Sequence, residues 1–95
     1  MATIGVLTLE MRLEHSHSLK DKRHVVKGLK DRLRRKFNVA VAEIDYQDLW
    51  QRAVVAAVTV SGDHSRAQQV LESAEKDASL LLGADLVNTQ IEWME

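Results

Sequence analysis

The chain has no cysteine, which excludes disulfides, thiolate-held zinc or iron–sulfur sites and a cysteine nucleophile. It has no proline, no low-complexity tract, no internal repeat and no linker, so its 95 residues are expected to form one domain, 1–95. No stretch approaches the roughly 20 consecutive apolar residues of a membrane span. Met1-Ala2-Thr3-Ile4-Gly5 has neither the basic flank nor the apolar run of a signal peptide. A soluble, cytoplasmic protein without a membrane partner is expected. A phosphate-binding glycine loop, a dinucleotide fingerprint and a nucleophile elbow are also missing. No nucleophile, base and orienting group fall at workable spacing, so neither an enzyme nor a cofactor is expected. Aromatic residues make up only 4%.

Hydrophobic residues make up 45% and charged residues 28%, enough for a small core of modest stability. From about Ile4 to Leu13, the odd positions Leu7, Leu9, Met11 and Leu13 form an apolar face at period two, the mark of a half-buried strand. Ser18-Leu19-Lys20-Asp21 fits a helix cap, a hydroxyl followed three residues later by an acid. Leu19, Val26, Leu29, Leu33 and Phe37 then recur at helical spacing. Two strands follow, about Asn38 to Asp45 and Trp50 to Ser61. The second reads Ala-Val-Val-Ala-Ala-Val-Thr-Val without polar alternation, as a central strand does. Asp45 to Leu49 forms the turn between them; lacking glycine, it needs side chains to organise it. A second helix spans about His64 to Leu82, capped by Asp63 or Ser65. Its stripe is Ala67, Val70, Leu71, Ala74, Ala78 and Leu81, and Gly83 is placed to end it in the left-handed conformation. A last strand covers about Leu86 to Met94.

The order strand, helix, strand, strand, helix, strand predicts an α+β, ferredoxin-like two-layer sandwich. Right-handed crossovers give an antiparallel sheet ordered 4-1-3-2 with both helices on one face. That topology gathers the strand 1–helix 1 loop, the strand 2–3 hairpin and the helix 2–strand 4 loop at one end. Ser18 is then close to Glu43, Asp45, Asp48 and Trp50.

The formal net charge of −1 hides a segregation. Between Lys20 and Lys36 there are nine cations and two acids, a balance of +7; the remainder carries −8. Lys20, Arg23, Lys27, Lys30 and Arg34 form one ridge, about 21 Å long at the helical rise. Such a ridge is either a solvated face or a track for a polyanion, and two acids within the helix cannot neutralise nine cations. Lys20, Lys22 and Arg23 occupy the first turn, where the helix dipole opposes them by about 0.3–1 kcal/mol each. Lys22 also falls on the apolar stripe. Two compensations are open: internal pairing with Glu43, Asp45 or Asp48, or a bound phosphate at the helix start. Trp50 reads as a packing anchor and Tyr46 as an exposed hairpin-tip ring able to stack on a base. The sheet lacks the aromatic signature of an RNA-recognition motif, so contact should use the helix ridge and the loop end. Nothing indicates DNA specificity. His15 and His17 would need a third ligand from Asp45, Asp48 or Asp85 to hold a metal, and no metal is expected. Adjacent cations keep Asp45 and Asp48 ionised, which disqualifies them as an acid–base pair. Apolar residues on the uncovered sheet face, Ile4 and Val6 among them, point to a homodimer.

Ser18-Leu19-Lys20-Asp21-Lys22-Arg23 and Glu43-Ile44-Asp45-Tyr46-Gln47-Asp48-Leu49-Trp50-Gln51-Arg52-Ala53 resemble the YlxP-like family of small bacterial proteins, over nearly the whole chain. The resemblance implies a ferredoxin-like fold. Its members are often encoded beside translation-initiation and ribosome-maturation genes, including that of ribosome-binding factor A, which implies a link to translation. The expectation is a non-enzymatic accessory factor that binds ribosomal RNA, another structured RNA or a ribosomal subunit. Its contacts are Lys20, Lys22, Arg23, Lys27, Lys30, Arg34 and Tyr46. The alternative is a homodimeric domain that binds an anionic small molecule between the start of helix one and the hairpin.

Overall fold

A computed structural model describes residues 1–94. It places β1 at Thr3–Arg12, α1 at Leu19–Lys36, β2 at Ala40–Asp45, β3 at Arg52–Ser61, α2 at His64–Leu82 and β4 at Leu86–Met94. The sheet is antiparallel in the order β2-β3-β1-β4, the expected 4-1-3-2 arrangement read from the other edge. A short 3₁₀ turn, Gly83–Asp85, joins α2 to β4.

The core forms where the odd face of β1 meets both helices. Leu7, Leu9 and Met11 are fully buried against Leu29, Leu33, Leu71, Ala74 and Ala78, with Val55 and Ala57 from β3. Gly5 belongs to this face. A Cβ there would lie 2.6 Å from both Leu71 Cδ1 and Trp93 Cζ3, so two large side chains occupy the space a methyl would need. Strand one is glycine there because Leu71 of the helical layer and Trp93 of the neighbouring strand β4 both lie over its backbone.

Ser18 caps α1 by accepting the Asp21 N–H at 3.1 Å, and Asp21 Oδ2 accepts the His17 N–H at 3.0 Å. Asp63 caps α2 by accepting the Ser65 N–H at 3.0 Å. Several details differ from the sequence reading. Leu19 and Phe37 are half-buried flanks, and the stripe of α1 is completed by Lys22 instead. Leu81 is exposed, while Asp77 is buried on α2. Gly83 has φ 56° but ψ −130°, outside the left-handed helical well and in territory that side chains avoid.

Candidate functional site

Lys22 lies on the face of α1 directed at the sheet, and its side chain is fully buried. Its Nζ donates to the carbonyls of Tyr46 at 2.6 Å, Gln47 at 3.2 Å and Arg52 at 3.3 Å. Glu43 Oε2 stands 3.0 Å away. That oxygen is buried without an aligned hydrogen bond among the described residues, so its tie to Lys22 is chiefly electrostatic. The ammonium thus grips both arms of the hairpin. Tyr46 adopts φ 61°, a left-handed conformation uncommon for a non-glycine residue. Asp45 Oδ1 accepts its N–H at 2.8 Å, and its carbonyl accepts the Leu49 N–H at 3.0 Å. Gln51 Nε2 reaches across to the carbonyls of Glu14 at 3.2 Å and Ser16 at 3.3 Å. Side chains organise the glycine-free turn, and they join it to the β1–α1 loop.

Of the three acids expected to compensate the first-turn cations, Glu43 pairs with Lys22. Asp45 serves its own turn, and Asp48 is exposed. Lys22 therefore lies between the start of α1 and the hairpin, with its ammonium held by hairpin carbonyls.

The two hairpin aromatics exchange their expected roles. Trp50 precedes β3, whose pairing with β1 ends at Arg12↔Arg52, and it is 51% exposed with Leu49 beside it. Tyr46 is half-buried, with the Arg52 guanidinium 4.1 Å from its ring centroid. Arg52 in turn donates to Glu10 at 2.9 Å, which raises the arginine's already high pKa.

Along α1 the cations divide into two sets. Arg32 donates twice to Asp77, at 2.7 and 3.2 Å, and Lys36 donates once, at 2.8 Å. The Arg32 hydrogen bond, then that of Lys36, pulls the Asp77 carboxyl down to about 2. This inter-helix triad was missed from sequence. Its signal was an acid at the core spacing of α2, between Ala74 and Ala78. Lys27 pairs with Asp31 at 2.7 Å and lowers the pKa of that carboxyl. Arg34 reaches the Val41 carbonyl at 2.8 Å. Lys20, Arg23, Lys30 and Arg35 make no ion pair with any described residue.

Arg23, Lys27, Lys30 and Arg34 line one groove of about 290 Å³ between α1 and β2, with Val26, Asp31 and Glu43. A broader depression of about 630 Å³ covers the start of α1, where Lys20, His15, His24 and Asp85 meet Arg23 and Lys27. It contains no hairpin residue. Among the described residues, no three His, Asp or Glu side chains are placed to hold a metal. No described helix is long and apolar enough to cross a membrane.

Residues 4–91 match the model of DUF503, described as a protein of unknown function. The chain belongs to the DUF503 family. A relative, the uncharacterized protein YlxP of Bacillus subtilis (strain 168), is 38% identical over 69 residues, covering 73% of this chain and 75% of YlxP. The YlxP resemblance seen in the two sequence motifs is thereby established. Among solved structures, the designed protein Foldit4 aligns over 100% of this DUF503 chain and 98% of its own, with TM-score 0.64 and 10% identity. A Bordetella bronchiseptica protein assigned to the antibiotic biosynthesis monooxygenases aligns over 100% and 97%, with TM-score 0.55 and 14% identity. A designed protein with ferredoxin fold aligns over 99% and 84%, with TM-score 0.50 and 15% identity. At such identities these likenesses show the ferredoxin-like fold alone.

Proposed function

We propose that this DUF503 protein is a non-enzymatic accessory factor that binds structured RNA, in the setting of a ribosomal particle, through the outer face of α1. One observation carries the reading. Arg23, Lys27, Lys30 and Arg34 line a single groove, and Arg23 and Lys30 form no ion pair with any described residue. Cations presented together along one helix match a run of phosphates, and binding releases the counterions condensed on them. The translation-gene neighbourhood of YlxP-like proteins favours RNA as the polyanion. Lys22 and Tyr46 support the surface from within. Lys22 is buried and Tyr46 is covered by Arg52, so neither is a contact residue in this reading.

The test is co-sedimentation with small ribosomal subunits. Four phosphate contacts predict a loss of affinity of about a hundredfold between about 50 and 200 mM salt. Arg23→Glu with Lys30→Glu should abolish binding and leave the circular dichroism unchanged. These two positions are chosen because reversing Lys27 would also strand Asp31. Binding that ignores salt, or that survives the double reversal, refutes the reading.

A further inference from the structure

The second face of the sheet carries an inference independent of α1. The core-facing residues of β1 and β3 are the odd ones, so strand alternation sends Ile4, Val6, Thr8, Val54, Ala56, Val58 and Val60 to the other side. No described helix covers that side. Val60 is 57% and Met94 59% exposed. The register arranges the face in rows across the sheet. One row reads Ala40, Val58, Val6, Glu92, and the next reads Ala42, Ala56, Thr8, Gln90. Beyond them Val60, Ile4 and Met94 form an apolar end. The Arg52–Glu10 ion pair and Arg12 close the opposite end.

Both rows therefore run from an alanine at the β2 edge to a long polar side chain at the β4 edge, with the branched Val58, Val6 and Thr8 between. Such a surface is complementary in relief to itself. A two-fold axis parallel to the strands, between β1 and β3, lays each row on its own reverse. Ala40 then meets the second copy's Glu92 stem, Val58 meets Val6, and the apolar ends stay together. At about 4.8 Å between strands and about 3.4 Å per residue, the face measures roughly 600 Å². Two copies bury about 1,200 Å², the size at which specific protein pairs become stable. The apolar centre is bordered by Glu92 and Gln90 at the β4 edge and by the Arg52–Glu10 pair at one end, and an apolar core beside polar margins is the composition of such interfaces.

We propose that a second copy of this chain covers the open sheet face, packed face to face about a two-fold axis that runs along the strands. Each contact then occurs twice, as an isologous interface requires.

Sedimentation equilibrium tests the pairing. Wild type should show twice its 10.7 kDa mass. Val58→Lys places a charge in the centre of the face and should halve that mass, whereas Leu80→Lys, on the exposed side of α2, should not. The cysteine-free chain permits a second measurement that does not depend on Val58→Lys folding. Ala40 and Glu92 lie three strands apart in one copy, about 14 Å, whereas across two sheets packed face to face Ala40 stands about 10 Å from the second copy's Glu92. Ala40→Cys with Glu92→Cys should therefore link two copies through a bifunctional thiol reagent that spans about 10 Å, a gap too wide for a direct disulfide, and neither single variant should do so. A monomeric wild type, a dimeric and folded Val58→Lys, or a double variant that does not cross-link would each overturn the proposal. Cross-linking by Ala40→Cys alone would place the axis across the strands and overturn it as well.

Discussion

Replacing Lys22 by methionine keeps the aliphatic stem and removes the ammonium. Three carbonyls then lose their donor, and Glu43 loses its counter-ion. Hydrogen bonds from a charged donor contribute about 1.5–3 kcal/mol each when fully buried. Here the Gln47 carbonyl belongs to an exposed residue and the Tyr46 carbonyl to a half-buried one, so water can take over part of the loss. Glu43 retains 17% side-chain exposure and can turn outward. Breaking a buried pair costs about 3–5 kcal/mol, and these escapes put Lys22→Met near the lower value, about 3 kcal/mol. For a domain of this size that is a fall in Tm of about 15–20 °C. Urea unfolding monitored by circular dichroism measures it. Combining Lys22→Met with Glu43→Leu should recover a third or more of the loss, because no carboxylate is then left stranded. Amide exchange should accelerate first at Tyr46 to Leu49, where the grip is lost. A cost below about 1 kcal/mol, or strictly additive single and double variants, would refute the assignment of Lys22 as the clamp of the hairpin.

Gly5→Ala should destabilise by about 1–3 kcal/mol, since Leu71 is fully buried and cannot swing away from a Cβ 2.6 Å distant; an unchanged denaturation midpoint would show that the two layers separate easily. The Asp77 carboxyl titrates at about 2 against an ordinary 3.8, so its stabilisation is full above pH 3.8 and is lost as pH falls toward 2. Because Arg32 and Lys36 are 41% and 48% exposed, the screened value is about 1 kcal/mol. Asp77→Asn should thus be less stable than wild type at pH 7 and equal to it near pH 2, and a pH-independent difference in urea midpoints would refute the triad.

The element order, the Ser18 cap, the Asp63 cap as one of two candidates, the apolar face of β1 and most of that of α2 were legible because each depends on neighbours along the chain. A strand shows period two, and a helix needs a hydroxyl or carboxylate at its first free amides. The bounds of α2 and β4 follow from Asp63, Gly83 and the alternation after Leu86. The cationic ridge was legible for the same reason, being a spacing on one helix. The family resemblance was carried by two short segments and held over residues 4–91.

The choice among partners for each charge belonged to the tertiary structure. Lys22 was marked by its place on an apolar stripe, but which acid meets it depended on the bulge of β2, where the pairing passes from Glu43 to Asp45. Asp77 found Arg32 and Lys36 only once α1 and α2 lay side by side on the sheet. Trp50 and Tyr46 differ in burial because β3 pairs from Arg52 onward, leaving the tryptophan in the turn while the arginine covers the tyrosine. Local sequence sets the backbone's preferences and the sidedness of each element. Ion pairs and ring contacts join residues that are 21, 45 or 6 positions apart, as from Lys22 to Glu43, from Arg32 to Asp77 and from Tyr46 to Arg52, and only the packed layers bring such groups within reach.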